Sequence, residues 1–171
     1  MVSTTKVAII LVGCVCGIAL VIGLGLMIAH GENSSTPTGY LSMTPREAIF
    51  LEFTTSHGSL SGSAHVVRLS SSRAHVAAAT GSIGGTISNN AVTIEDSGAV
   101  LTPSGSNING AMRGSDLILE FPGSDGRLKA ITFKRTAVSG YNEAVAKLQK
   151  EADKSATSQY TKLKEAHNVY S

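Results

Sequence analysis

Several residue types that usually stabilise or identify small proteins are scarce in this sequence of 171 residues. It contains no tryptophan, four prolines and two cysteines, and aromatic residues make up only 5% of the chain. Both cysteines, Cys14 and Cys16, lie close together inside one apolar run, so they are not the disulfide framework of a small secreted domain. Any folded domain must therefore be stabilised by its apolar core and its hydrogen bonds.

A surplus of charge of one sign is also lacking. Lysine and arginine number 14, against 12 aspartate and glutamate residues, which gives a formal net charge of +2. The two signs are intermixed along the chain and form no run of like charge. Domains that bind nucleic acids usually carry a basic patch or stripe. The sequence therefore predicts no nucleic-acid partner.

The residue spacings that identify catalytic and metal sites are missing as well. The five histidines form no metal-ligand spacing, and the G-x-S-x-G-like segment at residues 58–62 has Leu60 where the nucleophile would stand. His65 and His75 could share one face of a hairpin that turns at residues 70–72. Without a nearby acid or thiol, however, two histidines are more often ordinary strand residues than metal ligands. We therefore expect no enzyme activity, no metal and no cofactor.

What the sequence does contain is one long uncharged run, residues 7–29, in which glycines are the only residues that are not apolar. As a helix this run would rise about 34 Å, enough to cross a bilayer with some tilt. It is too long for the apolar core of a cleavable signal peptide. Residues 11–14 fit a lipoprotein signal ending at Cys14, but the chain stays apolar well beyond that cysteine, which disfavours lipidation. The sequence predicts an uncleaved, single-pass transmembrane helix.

Orientation and helix packing are predicted from a few residues around this run. Lys6 precedes it, so the positive-inside tendency places residues 1–6 in the cytoplasm and the rest of the chain outside. Gly13 and Gly17 form a G-x-x-x-G spacing that would let a second helix approach closely, which makes them candidate contacts for a homo-oligomer. The alternative is that glycine is simply common in membrane helices.

Residues 30–45 lack periodicity and are rich in Gly, Ser, Thr and Pro, which predicts a flexible linker. From residue 46 to residue 136, short alternating apolar runs are broken by Gly, Ser and Asn, as in antiparallel strands. The candidate strands are 47–54, 60–69, 73–80, 82–88, 91–96, 99–102, 107–113, 116–121 and 128–135. The pattern predicts an extracytoplasmic β-domain, a meander of about eight strands that closes as a small barrel or packs as a sandwich.

A repeat with an offset of 25 residues predicts two of the hairpins. Residues 83–87 and 92–94 correspond to residues 108–112 and 117–119. With two-residue turns at Asn89–Asn90 and Gly114–Ser115, all the apolar partners in each hairpin fall on one face. The register then pairs Ile87 with Val92, Gly85 with Ile94, Met112 with Leu117, Gly110 with Leu119, Ile108 with Phe121 and Arg113 with Asp116. The two glycines that face large residues predict close backbone approach or strong bending.

The last segment, residues 137–171, predicts an amphipathic helix. Ser139 can cap it, and apolar residues recur at steps of three or four along one narrow face. Serine and lysine fall on the seam of any regular heptad, so a self-sufficient coiled coil is disfavoured. Either the first half packs on the β-domain and the rest projects, or the second half docks on a partner. Its candidate contact residues are Tyr160, Leu163 and Tyr170.

Three features together give a resemblance to known proteins. They are the N-terminal anchor, the hairpins with an [Ile/Leu]-x-Gly-[Ser/Thr/Ala] pattern, and the helix start Tyr141-Asn142-Glu143-Ala144-Val145 followed by Leu148. In these respects the chain resembles small membrane-anchored envelope proteins of Gram-positive actinobacteria and their phages. The resemblance implies a location in the cell envelope and no particular activity.

Four functions remain open at this point, and the last of them is an envelope hydrolase, for which no residue argues. The first is a non-catalytic extracytoplasmic module that is held at the membrane and acts through protein contacts in the envelope. The second is a carrier whose β-barrel encloses a small apolar ligand; an interior packed around Ile87, Met112 and Leu119 would argue against it. The third is a phage-type superinfection exclusion protein that acts from the membrane.

Overall fold

The computed structural model describes residues 38–103, 105–123 and 125–169. Within these ranges, no helix combines the length and apolar character needed to cross a membrane. The predicted cytoplasmic residues 1–6 and the transmembrane helix 7–29, with Cys14, Gly13 and Gly17, lie outside the described residues.

Eight antiparallel strands and one helix make up the described chain. They are β1 (Thr38–Met43), β2 (Glu47–Ser56), β3 (Ser59–Leu69), β4 (Val76–Ser88), β5 (Ala91–Glu95), β6 (Asn107–Arg113), β7 (Asp116–Pro122), β8 (Leu128–Ala137) and α1 (Val138–Val169). Each strand pairs with the next, and β8 pairs back on β1 to close a barrel. The predicted antiparallel meander is thus confirmed, and it closes as a barrel rather than a sandwich.

The two repeated hairpins have the predicted registers. In the β4–β5 hairpin Ile87 lies opposite Val92 and Gly85 opposite Ile94. In the β6–β7 hairpin Gly110 lies opposite Leu119, and the paired positions also include Met112 with Leu117 and Arg113 with Asp116. The pairing ends at Asn109 with Glu120, so the predicted partners Ile108 and Phe121 lie one position beyond it. Asn89, Asn90 and Gly114 all have positive φ, as tight hairpin turns require.

The prediction of a linker through residue 45 is wrong from Thr38 onward, because β1 completes the barrel there. Tyr40 packs against the barrel interior and its ring stacks on Phe53 at 5.3 Å, whereas Leu41 packs on the opposite side, against the cluster beneath α1. With both faces covered, the strand shows no alternation of apolar and polar residues. Its pairing with β8 joins residues almost a hundred positions apart, which no local pattern reveals.

The predicted strands 73–80 and 82–88 are one strand, β4, and residues 99–102 are not a strand. Gly81, at the expected break, continues the ladder opposite Ala64. Residues 96–103, here called the Asp96 loop, fold over this glycine, and a Cβ there would lie 2.5 Å from the Val100 side chain. The loop is held by the Asp96 carboxylate, which accepts hydrogen bonds from three backbone N–H groups of the loop. In a strand these groups would donate to a neighbouring strand instead.

The buried apolar residues form two clusters, one inside the barrel and one on its outer surface. The larger fills the interior and includes Leu51, Ile94, Leu119 and Phe133, each fully buried. The smaller lies between the outer surface of the barrel and α1; its buried members are Ala48, Val67, Leu69, Ala144, Leu148 and Ala152. The helix therefore gives one side of the barrel a second buried face, which explains the unbroken buried run from Ala48 to Leu51 in β2.

Candidate functional site

The first half of α1 is fixed to the barrel. Ala144, Leu148 and Ala152 recur every four residues along the helix and are buried to 2% exposure or less. Their partners include Val67 and Leu69 on β3. Two of the three helix residues are alanines, which lets the helix backbone lie close to the sheet. The docked half of α1, residues 138–154, thus presents the predicted apolar face to the barrel.

The second half of α1, residues 155–169, leaves the barrel; we call it the arm. Every described side chain from Ala156 to Glu165 is exposed. One hydrogen bond links the arm back, from Gln159 Nε2 to the Ser72 carbonyl oxygen at 2.9 Å. The helix continues to Val169, and none of the side chains from Ala156 to Glu165 belongs to an apolar cluster of the barrel. Most helical stability in proteins comes from packing of an apolar face, so the arm lacks the contribution that fixes the docked half.

The two largest apolar side chains on the described part of the arm point into solvent. Tyr160 is 70% exposed and Leu163 is 71% exposed. They are three residues apart and hence on the same helix face, with Lys164, four residues after Tyr160, beside them. Of the predicted partner contacts, these two are placed together on the surface, and Tyr170 lies outside the described residues. A tyrosine beside a leucine, with a lysine at the edge of the face, is suited to burial in an apolar groove.

Sequence reasoning missed two other exposed apolar residues. Leu128 at the start of β8 is 66% exposed, and Met43 at the end of β1 is 41% exposed. Both lie at strand ends, where the alternation that marks a buried face does not apply. Nothing in the sequence distinguishes them from ordinary strand residues, but Leu128 provides a useful comparison for the arm.

The predicted proximity of His65 and His75 is wrong. His65 lies opposite Thr80 in the β3–β4 ladder, whereas His75 precedes β4 and is exposed in the loop, where its carbonyl accepts from the Ser70 N–H at 2.9 Å. The two histidines are five register positions apart, so they point to opposite sides of the sheet. Among the described residues, no group of three or more histidine, cysteine, aspartate or glutamate side chains could hold a metal.

The barrel interior is filled by side chains. Ile87 and Met112 pack against the buried cluster that contains Leu119, which is the packed arrangement expected to argue against a carrier. Two shallow clefts lie at the rim of the barrel. One, of about 170 Å³, lies between α1 and the β1–β2 and β3–β4 loops; the other, of about 240 Å³, lies between the end of β1 and residues 129–132 of β8.

No protein-family model, curated protein or solved structure matches the chain. Among the described residues, the arm is the best candidate for a contact surface. It extends beyond the part of α1 that packs on the barrel, and its apolar side chains Tyr160 and Leu163 are exposed to solvent.

Proposed function

We propose that this chain is a non-catalytic module, anchored by a single membrane span at residues 7–29, that acts through protein contacts in the cell envelope. Residues 1–6 lie in the cytoplasm and the barrel lies outside the membrane. The barrel is the rigid base, and the arm is the contact surface. The resemblance to envelope proteins of actinobacteria and their phages supports the same location.

The single observation that carries the proposal is the exposure of Tyr160 and Leu163 on a helix whose first half is fully docked. If α1 served only to cover the barrel, it could end near Ala152, because the described residues beyond it bury no apolar side chain against the sheet. The arm adds 15 helical residues, or roughly 22 Å of helix. Aromatic and leucine side chains at helical spacing are the usual anchors of a helix that binds in a groove.

The carrier hypothesis is disfavoured by the same structure. A carrier of an apolar molecule needs an enclosed, apolar space, commonly about 300 Å³ or more. The interior of this barrel is occupied by its own side chains, and the two clefts at the rim are smaller and open to solvent. Exclusion of other phages remains compatible with the proposal, since it would be one form of protein contact made from the membrane.

The double variant Tyr160→Ser/Leu163→Ser should lose its protein partner without losing stability. Both side chains are mostly exposed, so the free energy of unfolding should change by no more than about 0.5 kcal/mol. Chemical crosslinking in native membranes, followed by mass spectrometry, should recover a partner with the wild-type chain and not with the variant.

Leu128→Ser is the matched control for this experiment. It removes a leucine of similar exposure from the barrel instead of the arm, and it should leave the recovered partner unchanged. If the double variant recovers the same proteins as the wild type, or if Leu128→Ser abolishes recovery equally, the arm is not the contact surface.

A further inference from the structure

One imidazole lies in the interface between the barrel and the docked half of α1. The His65 side chain is on the outer face of β3, and its ring centroid is 6.3 Å from that of Phe50 on β2 and 6.0 Å from that of Tyr141 on α1. Phe50 and Tyr141 stack on one another at 5.1 Å. The three rings form a cluster that the first turn of the helix completes.

The hydrogen-bond partners of His65 suit its neutral form. Nε2 is 3.1 Å from Ser63 Oγ, and Nδ1 is 3.2 Å from Thr80 Oγ1. A hydroxyl can donate to one ring nitrogen while the other ring nitrogen donates to the second hydroxyl, so a neutral imidazole is fully satisfied in either tautomer. Neither partner carries a negative charge that would compensate a half-buried imidazolium.

Few charged groups face this imidazole. Glu52 on β2 is the nearby carboxylate, Tyr141 is the titratable group contributed by α1, and β4 carries no titratable residue. Glu143 and Lys147, on the next turns of the helix, are exposed to solvent. Burial lowers the pKa of His65 below its ordinary value, and the negative charge of Glu52 opposes part of that decrease.

We propose that His65 is an acid-sensitive latch for α1: protonation of its imidazole weakens the docking of the helix on the barrel. Tyr141 supplies part of the burial, so undocking the helix returns the imidazole to water. The undocked form then binds a proton more readily than the docked form. By linkage, docking is strongest above the ordinary histidine pKa of about 6.5 and weakens as the pH falls below it. This device is independent of whether the arm binds a protein.

Amide hydrogen exchange on the full-length chain in detergent micelles tests the latch. The measured exchange rates are first divided by the intrinsic rates at each pH. The corrected rate for residues 141–148, taken relative to that for β7, should then rise several-fold as the pH is lowered from about 7.5 to about 5. His65→Gln, which keeps a polar side chain that cannot be protonated, should abolish the rise, and His75→Gln, at an exposed loop position, should keep it. Glu52→Gln should enlarge the rise, because it removes the charge that favours the imidazolium.

A second measurement does not depend on the fold of the His65 variant. In an NMR titration of the histidine ring protons, the pKa of His65 should be lower in the wild-type chain than in Tyr141→Ala. The variant removes part of the helix that covers the imidazole. The proposal is overturned if the rise in exchange persists in His65→Gln, if the wild type shows no rise, or if Tyr141→Ala leaves the His65 titration unchanged.

Discussion

Replacing Asp96 by alanine should lower the free energy of unfolding by about 3 to 5 kcal/mol, because it leaves several buried backbone donors without an acceptor. Asp96 is 1% exposed. Its Oδ2 accepts the N–H groups of Leu101 and Thr102, each at 2.8 Å, and its Oδ1 accepts the N–H of Val100 at 3.1 Å. The Thr102 hydroxyl adds a fourth, longer contact at 3.4 Å.

The loss should extend beyond these hydrogen bonds. The Asp96 loop places Leu101 in the interior cluster and Val100 against Gly81 on β4. Once the carboxylate is removed, the loop has no other side chain that satisfies its consecutive N–H groups. Part of the apolar contact that closes this end of the barrel should then be lost as well.

Denaturant unfolding monitored by circular dichroism measures the effect, with Glu95→Ala as the matched control. Glu95 is the neighbouring carboxylate but is exposed, and its removal should change the free energy of unfolding by no more than about 0.5 kcal/mol. Asp96→Asn keeps one acceptor oxygen and should give an intermediate loss. If Asp96→Ala proves as stable as Glu95→Ala, the carboxylate does not hold the loop.

Gly85→Ala should destabilise the barrel by about 3 kcal/mol or more, since it combines backbone strain with a steric clash. Gly85 has φ of +143°, a conformation that L residues rarely adopt. A Cβ on Gly85 would overlap the carbonyl oxygen of Thr93 on β5 and lie 3.1 Å from the Cα of Ile94. Both neighbours are backbone atoms of the paired strand, so they cannot move aside without breaking the ladder.

Gly84, the preceding residue in the same strand, is the matched control. The atoms nearest to a Cβ added at Gly84 would be Glu95 Oε2 at 3.7 Å and the Leu60 carbonyl oxygen at 3.9 Å, which are ordinary van der Waals distances. Gly84→Ala should therefore change the free energy of unfolding by less than about 1 kcal/mol. Equal losses for the two variants, measured by the same denaturant titration, would contradict the geometry described for Gly85.

The features that sequence reasoning predicted are local ones. Two-residue turns set the register of each repeated hairpin, so the pairs Ile87 with Val92 and Met112 with Leu117 follow from turn chemistry and a period of two. The close backbone approach predicted at Gly85 and Gly110 is confirmed, because an added Cβ at either position would overlap a carbonyl oxygen of the paired strand.

The features it missed depend on distant parts of the chain. β1 resembles a linker until β8 pairs with it and α1 covers its outer face. Residues 99–102 have a strand-like composition, but the side chain of Asp96 captures their backbone donors. Part of the cover of His65 comes from Tyr141, which is more than 70 residues further along the chain. No periodicity of the segments themselves contains this information.

The candidate site was predicted in part. The helical spacing of Tyr160 and Leu163 placed them on one face, and the structure shows that face in solvent. The sequence left open where the helix would leave the barrel, because Ala156 extends the apolar stripe past Ala152. The answer depends on the position of the β3–β4 loop, whose Ser72 carbonyl accepts the last hydrogen bond from the helix.

The central claim is that the arm, and not the barrel wall, contacts a protein partner. Its most direct test is a photoreactive amino acid placed at position 163 in one chain and at position 128 in another, with irradiation in native membranes. Both positions hold exposed leucines, so the two probes are equally accessible before any partner binds. The account predicts one discrete protein adduct from position 163 and none from position 128. Adducts from position 128 alone, or no adduct from position 163, would contradict it.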